Sequence, residues 1–214
     1  DAHYPYEAPE PFLGLFGDPS ARVSLTGDTQ RRFRRGELDW GEEEVGGLRD
    51  AYDEEIRYLD DRVGAFVERM LEQHDDLLVV ILADHGEEFL EHGDLGHSHS
   101  LNDELLLVPF QLAWGRAIDL EPGTVESQVS TLDLLPTVLD LTGIVWPGGA
   151  APLDGRSLRP LIEGVGPDRP AFSETEGLGS QRSGLAGPLR SWRTPQAKLV
   201  LTDPRKEKAG RSWL

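Results

Sequence analysis

The sequence predicts an α/β protein, in which a mixed and mostly parallel sheet is flanked by helices and followed by a small antiparallel subdomain at the carboxyl end. Apolar residues recur every three or four positions from Tyr52 to His74, which predicts an amphipathic helix. The apolar run LLVVILAD at 77–84 follows at once and is typical of a buried central strand. Because a helix that leads into such a strand is half of a β-α-β unit, we expect a parallel sheet with helices on both sides.

The region before this helix and the region after the strand are less regular. Residues 1–50 are rich in proline, glycine and charge, which predicts a long loop region with one short helix. A second apolar run, LLLVPFQLAW at 105–114, contains Pro109, so its strand should have an irregular start or lie at a sheet edge.

The last third of the chain contains one helix and short strands. The stretch LDLLPTVLDLTG at 132–143 predicts a short helix, with Ser130 or Thr131 as its amino-terminal cap and Gly143 as its end. The alternating stretch AKLVLT at 197–202 predicts a strand of the small appended sheet.

Composition excludes some classes of partner. The chain has 214 residues and a net charge of −18, which argues against nucleic acid, although an acidic protein can still bind an anionic substrate through a metal ion. No apolar run approaches the roughly 18 residues of a membrane span. With no cysteine, the chain offers neither disulfides nor thiolate ligands. The arginines at 31, 32, 34 and 35 predict a solvated surface, with contact to an anion as the alternative.

The segment ADHGEEFLEHGDLGHSHS at 83–100 contains four of the six histidines. Ligands of α/β sheets gather where strands end, and Asp84 and His85 stand at that point with Gly86 allowing a sharp turn. A carboxylate and an imidazole there suit a divalent metal ion. The alternative is that the pair only caps the turn, and one histidine of the segment, such as His92, could be structural.

Five stretches together resemble the sulfatase family of the alkaline phosphatase superfamily. They are DAHYPYEAPEPF at 1–12, YDEEIRYLDDRVG at 52–64, ILADHGEEFLEHGDLGHSHSLNDELLLVPF at 81–110, STLDLLPTVLDLTGI at 130–144 and LDGRSLRPLIEG at 153–164. The resemblance implies that residues 1–165 are the carboxyl-terminal portion of the catalytic α/β domain. It implies that residues 166–214 are a small α+β subdomain that is cut short.

Roles carry over from the family position by position. Asp84 resembles a metal-binding aspartate, and His85 occupies the neighbouring ligand position. His3 resembles the histidine that contacts the ester or protonates its leaving oxygen. His97 stands where many members have lysine and would also contact the substrate, a duty that His99 could share. The implied cofactor is one divalent ion, calcium for a sulfatase, or manganese or zinc for a phosphoesterase.

The family's nucleophile has no counterpart in this sequence. It is a formylglycine made from cysteine or serine in a C/S-x-P-x-R motif, which the chain does not contain. We therefore expect an inactive fragment of a parent enzyme that hydrolyses sulfate esters of small molecules or glycans. The alternatives are a phosphodiester or phosphonate hydrolase or a phosphoryl transferase of the same superfamily, and a noncatalytic domain that binds a sulfated or phosphorylated glycan. The sequence leaves the compartment open.

Overall fold

The structure is a computed structural model that describes residues 2–147, 151–176 and 187–202. Within these ranges the chain is a mixed α/β protein with helices and three small antiparallel sheets. No helix of the described part is both long and apolar enough to cross a bilayer. In chain order the elements are α1 (Gly27–Arg34), α2 (Glu42–Gln73), β1 (Leu78–Leu82), β2 (Glu88–Phe89), β3 (Leu95–Gly96), α3 (Asp103–Leu106), β4 (Phe110–Trp114), α4 (Leu134–Thr142), α5 (Arg159–Ile162), β5 (Ala171–Thr175), β6 (Leu189–Arg193) and β7 (Lys198–Thr202), with 3-10 turns at Pro19–Ala21 and Thr131–Asp133.

The predicted amphipathic helix is confirmed as α2, which starts well before Tyr52. Its first turn carries Glu42, Glu43 and Glu44, whose negative charges interact favourably with the amino-terminal end of the helix dipole. The extra turns bury Val45 and Leu48, which are 4% and 1% exposed. Burial of these two side chains outweighs the low helix propensity of the neighbouring glycines, which made the start hard to see in the sequence.

The main hydrophobic core joins the predicted short helix, found as α1, to α2 and to the β2–β3 hairpin. Its buried members are Leu25, Phe33, Val45, Leu48, Phe89 and Leu95. The hairpin supplies the last two, so the histidine-rich segment is built on this core. Packing of α1 and α2 therefore fixes where that segment lies.

The first predicted strand is present as β1. The prediction that it is a buried central strand of a parallel sheet is wrong for the described residues. β1 pairs with β4 in an antiparallel register that runs from Leu78 opposite Trp114 to Leu82 opposite Phe110. Every residue of β1 is half-buried, so it is not a fully buried central strand. All described strand pairs are antiparallel. The connection from 83 to 109 holds a hairpin and a single-turn helix in place of a crossover helix, so the chain returns in the opposite direction.

The remaining expectations about elements are confirmed, except that Leu105 and Leu106 of the second apolar run belong to α3 and not to a strand. β4 begins directly after Pro109, where the strand was expected to be irregular. The hydroxyl of Ser130 accepts a hydrogen bond from the amide of Leu132 at the start of the helical segment that leads into α4. Gly143 ends α4 with φ +70°, a left-handed conformation that glycine adopts without strain. β5, β6 and β7 form the small antiparallel sheet.

Candidate functional site

The histidine-rich segment leaves β1 and folds back as the hairpin in which Glu88 lies opposite Gly96 and Phe89 opposite Leu95. Gly96 has φ +80°, and a Cβ there would collide with the side-chain amide of Gln30. That amide donates a hydrogen bond to the carbonyl oxygen of Leu95, at 3.2 Å. Helix α1 thus fixes the hairpin one residue before His97.

Three histidines from separate parts of the sequence meet beside this hairpin. His3, His85 and His97 can each offer one ring nitrogen so that the three atoms lie within 4.8 Å of one another. The ring centroids of His85 and His97 are 4.0 Å apart, and those of His3 and His97 are 5.0 Å apart. The structure therefore brings together three of the five residues that the sequence selected.

Each of these imidazoles has its Nδ1 atom next to an oxygen. The Nδ1 of His3 lies 2.9 Å from the carbonyl oxygen of Tyr4, and that of His85 lies 2.8 Å from the carbonyl oxygen of Gly86. The Nδ1 of His97 lies 2.9 Å from a carboxylate oxygen of Glu87. A carbonyl oxygen or a carboxylate accepts, so Nδ1 is the donor in each ring. Nε2 can then bind a metal ion, or donate to a substrate oxygen when it also carries a hydrogen.

Asp84 lies at the edge of this cluster. Its side chain is 92% exposed, and its Oδ1 is 3.9 Å from Nε2 of His85. The same oxygen accepts a hydrogen bond from the His85 amide. The two predicted metal ligands are thus adjacent, and the described residues here offer one carboxylate and several imidazoles. Calcium prefers six to eight oxygen ligands, whereas imidazole suits zinc and similar ions.

The structure does not bring His99 into the cluster, although the sequence suggested that it shares substrate contact. Its side chain is fully buried, and its Nε2 lies 2.9 Å from a carboxylate oxygen of Glu88. Its Nδ1 lies 2.8 Å from Nη2 of Arg34, which can only donate. With both ring nitrogens occupied, His99 has no atom left for a substrate and stabilises the loop instead.

Burial and hydrogen bonding act in opposite directions on Glu88. Burial alone would raise the pKa of its carboxyl group, but hydrogen bonds from His99 and Asn102 hold that pKa below its ordinary value. Glu88 therefore stays ionised at neutral pH, which matches its role as an acceptor inside the loop.

Arg34 corrects the prediction of a solvated arginine surface. Arg31, Arg32 and Arg35 are exposed as expected, but Arg34 is only 7% exposed. Its guanidinium contacts Asp94 at 3.2 Å and donates to the carbonyl oxygen of His97 at 2.6 Å. A single buried arginine in a basic run has no local signature, so the sequence could not reveal this contact.

Two further residues beside the cluster were missed. The hydroxyl of Tyr6 donates a hydrogen bond of 2.6 Å to the second carboxylate oxygen of Glu87. Burial and the nearby negative charge of Glu87 raise the pKa of Tyr6 well above its ordinary value. Glu87 lies inside the segment that the sequence selected, so its position was a usable signal. His92, the suggested structural histidine, is exposed beside Glu104 and outside the cluster.

The family model and two relatives that this chain matches are named as sulfatases. Residues 2–144 match the family model named Sulfatase. Choline-sulfatase of Rhizobium meliloti is 32% identical over 160 residues, which are 73% of this chain and 29% of that protein. Delta 4,5-hexuronate-2-O-sulfatase of Bacteroides thetaiotaomicron is 40% identical over 89 residues, which are 41% of this chain and 18% of that protein. The chain thus spans less than a third of the length of these relatives.

A solved structure agrees with this result. A crystal structure of a Bacteroides thetaiotaomicron protein assigned to the sulfatases is 25% identical to this chain in sequence. The two structures superpose with a TM-score of 0.63 over 87% of this chain and 41% of that one. The family match covers most of the chain and includes all three clustered histidines. On these grounds, the chain belongs to the sulfatase family.

Proposed function

We propose that the full-length protein hydrolyses sulfate esters and that this chain supplies one side of the active site. The observation that carries the proposal is the convergence of His3, His85 and His97 beside Asp84. Each imidazole has its Nδ1 bonded to an oxygen, and its Nε2 has no hydrogen bond to any other described residue. Cleavage of a sulfate ester develops negative charge on the sulfuryl oxygens and the leaving oxygen. An imidazole donates a hydrogen bond to such an oxygen from a protonated Nε2.

Each residue has a distinct part in this proposal. His3 contacts the ester and donates a proton to the leaving oxygen, and His97 contacts a sulfuryl oxygen from the opposite side. Asp84 and His85 would hold a divalent cation, calcium by resemblance to the family, and that ion would neutralise charge on the ester. Its remaining oxygen ligands, and the formylglycine nucleophile, lie outside this chain.

The substrate class follows from the relatives by analogy. Those two proteins are named for a sulfate ester of choline and for a sulfated hexuronate sugar. We therefore propose a small-molecule or glycan sulfate ester as the substrate. The net charge of −18 fits this class better than a nucleic acid, because phosphate backbones bind to basic surfaces.

Kinetics of the full-length protein on an aryl sulfate test the proposal. We expect calcium-supported turnover that falls about 10²- to 10³-fold in His3→Ala and His97→Ala, because each loses a group that stabilises developing charge. His92→Ala is the matched control, since it removes an exposed imidazole of the same loop outside the cluster. Lack of turnover of aryl sulfates by the wild type, or equal rates in all three variants, would contradict the proposal.

A second candidate is hydrolysis of phosphodiesters or phosphonate esters, or phosphoryl transfer, with manganese or zinc. It is favoured by the nitrogen-rich donor set of three imidazoles, which suits borderline metal ions better than calcium. The two candidates separate when aryl sulfate and bis-aryl phosphate are compared with each metal. Higher kcat/KM for the phosphate with zinc or manganese would select the second candidate.

A further inference from the structure

We propose that Glu87 is a positioning residue for His97, and that Tyr6 in turn holds Glu87. Glu87 accepts the hydrogen on Nδ1 of His97 and so holds the ring with Nε2 towards the cluster, where Nε2 can donate when it also carries a hydrogen. The inference rests on the proposed function for its catalytic consequence, but its structural content can be measured without turnover.

The first ground is the way in which the three imidazoles differ. His3 and His85 each place Nδ1 against the main-chain carbonyl oxygen of the next residue. These contacts are local, and no side-chain substitution removes the acceptor. The Nδ1 of His97 instead lies 2.9 Å from the carboxylate of Glu87, ten positions away along the chain. The orientation of His97 therefore depends on one side chain.

The second ground is the environment of Glu87. Its side chain is 3% exposed, so water offers little competition for its hydrogen bonds. One carboxylate oxygen faces His97 and the other accepts the hydroxyl of Tyr6 at 2.6 Å. A buried carboxylate held on both oxygens has a fixed direction. With one oxygen on His97 and the other on Tyr6, Glu87 is placed to orient the imidazole of His97.

The third ground is the support that Tyr6 receives. Its ring packs against Tyr52 and Phe89, with ring centroids 5.4 Å and 6.2 Å away. Burial and the charge of Glu87 raise the pKa of Tyr6, so its hydroxyl is protonated and is a donor at neutral pH. Tyr6 also belongs to the same segment as His3. The contact between Tyr6 and Glu87 thus ties the segment that carries His3 to the loop that carries His97.

A supporting residue of this kind has a measurable effect. Loss of the carboxylate that orients a functional histidine costs about 10- to 100-fold where that histidine binds a metal ion, and we expect a loss of similar size here. The effect should depend on hydrogen-bond acceptance and not only on volume. Substitution by glutamine keeps an acceptor oxygen, whereas substitution by leucine removes it.

The kinetic test uses the full-length protein and an aryl sulfate. We expect Glu87→Leu to lower kcat/KM about 10- to 100-fold and Glu87→Gln to retain more of the activity. Tyr6→Phe should have a smaller effect, and adding it to Glu87→Leu should cost nothing more, because both act through one contact. Glu91→Gln is the matched control, since its carboxylate lies on the same loop and faces Arg49. Equal activity of Glu87→Leu and Glu91→Gln would overturn the inference.

The spectroscopic test needs no substrate. Nitrogen-15 spectra of histidine-labelled protein report which ring nitrogen carries hydrogen, and His97→Gln identifies the signals of His97. In the wild type we expect hydrogen on Nδ1 of His97, and in Glu87→Leu we expect a shift towards the Nε2–H form. The signals of His92 should not change. Persistence of the Nδ1–H form in folded Glu87→Leu would refute the positioning role.

The two tests separate failure of this inference from failure of the proposed function. A nitrogen-15 shift without any sulfate ester turnover in the wild type would leave Glu87 as the orienting group and remove the sulfatase proposal. Turnover by the wild type together with an unchanged spectrum in Glu87→Leu would support the sulfatase proposal and remove the positioning role of Glu87. Glu87→Met, which also lacks an acceptor oxygen and is closer to glutamate in shape, covers the case in which Glu87→Leu does not fold.

Discussion

The ion pair between Arg22 and Glu54 fastens the amino-terminal loop to helix α2. The two guanidinium nitrogens of Arg22 lie 2.7 Å and 2.8 Å from the two carboxylate oxygens of Glu54. Glu54 also accepts the amide of Phe16, and its side chain is 1% exposed. We predict that Glu54→Gln destabilises the protein, because it removes the charge while nearly preserving the shape.

The magnitude follows from the pKa of Glu54. Hydrogen bonds from Arg22 lower this pKa from 4.5 to about 2, even though burial acts in the opposite direction. A shift of this size corresponds to roughly 3 kcal/mol of stability at neutral pH. Because the folded-state pKa is the lower one, this stability is present above about pH 4.5, the unfolded value, and is lost as the pH falls towards 2.

Urea unfolding of the full-length protein at several pH values checks this prediction. Glu54→Gln should lower the free energy of unfolding by about 3 kcal/mol at pH 7, and the deficit should shrink between pH 5 and pH 2. The control is Asp60→Asn on the same helix, which removes an exposed pair with Arg57 and should cost less than about 0.5 kcal/mol. Equal costs for the two variants, or a deficit for Glu54→Gln that does not vary with pH, would refute the reasoning.

Two further predictions concern buried polar contacts. Arg34→Met should destabilise the protein by about 3–5 kcal/mol in urea unfolding, since it leaves the buried carboxylate of Asp94 without its cation. Arg31→Met, at an exposed position, should stay within about 0.5 kcal/mol of the wild type. Thr137→Val should cost about 1–3 kcal/mol by the same measurement, because the amide of Leu158 loses a buried acceptor, and the exposed Thr142→Val should cost clearly less. If Arg34→Met or Thr137→Val lowers the free energy of unfolding no more than its exposed control does, the stabilising role given to that buried contact is wrong.

Part of the candidate site could be predicted because its residues are close together in the chain. Asp84 and His85 follow a strand whose apolar run is visible in the sequence, and the family motifs include His3 and His97. His99 illustrates the limit of this reasoning. It is two residues from His97 and chemically identical, yet its ring points into the core between Arg34 and Glu88. Which of two nearby imidazoles reaches the cluster depends on contacts with α1, far away in sequence.

The sheet shows the same limit at the level of the fold. The apolar run at 77–84 correctly predicted a strand, because strand formation depends on local composition. Whether the strand is parallel and how deeply it is buried depend on its partner, and the described partner is the antiparallel β4. An apolar run therefore predicts that a strand forms. The direction of its partner strands and its depth of burial follow only from the rest of the sheet.

The sequence by itself determined most of α2, the helix α4, the strands β1, β4 and β7, the histidine-rich loop and the family, because periodicity, turn residues and motifs are properties of neighbouring residues. Only the tertiary structure decided that His3 joins His85 and His97, that His99 is buried, and that Tyr6 and Glu87 hold His97 in place. Those arrangements depend on contacts between distant segments, whose energies come from the packing of the whole core and are not encoded in any local pattern.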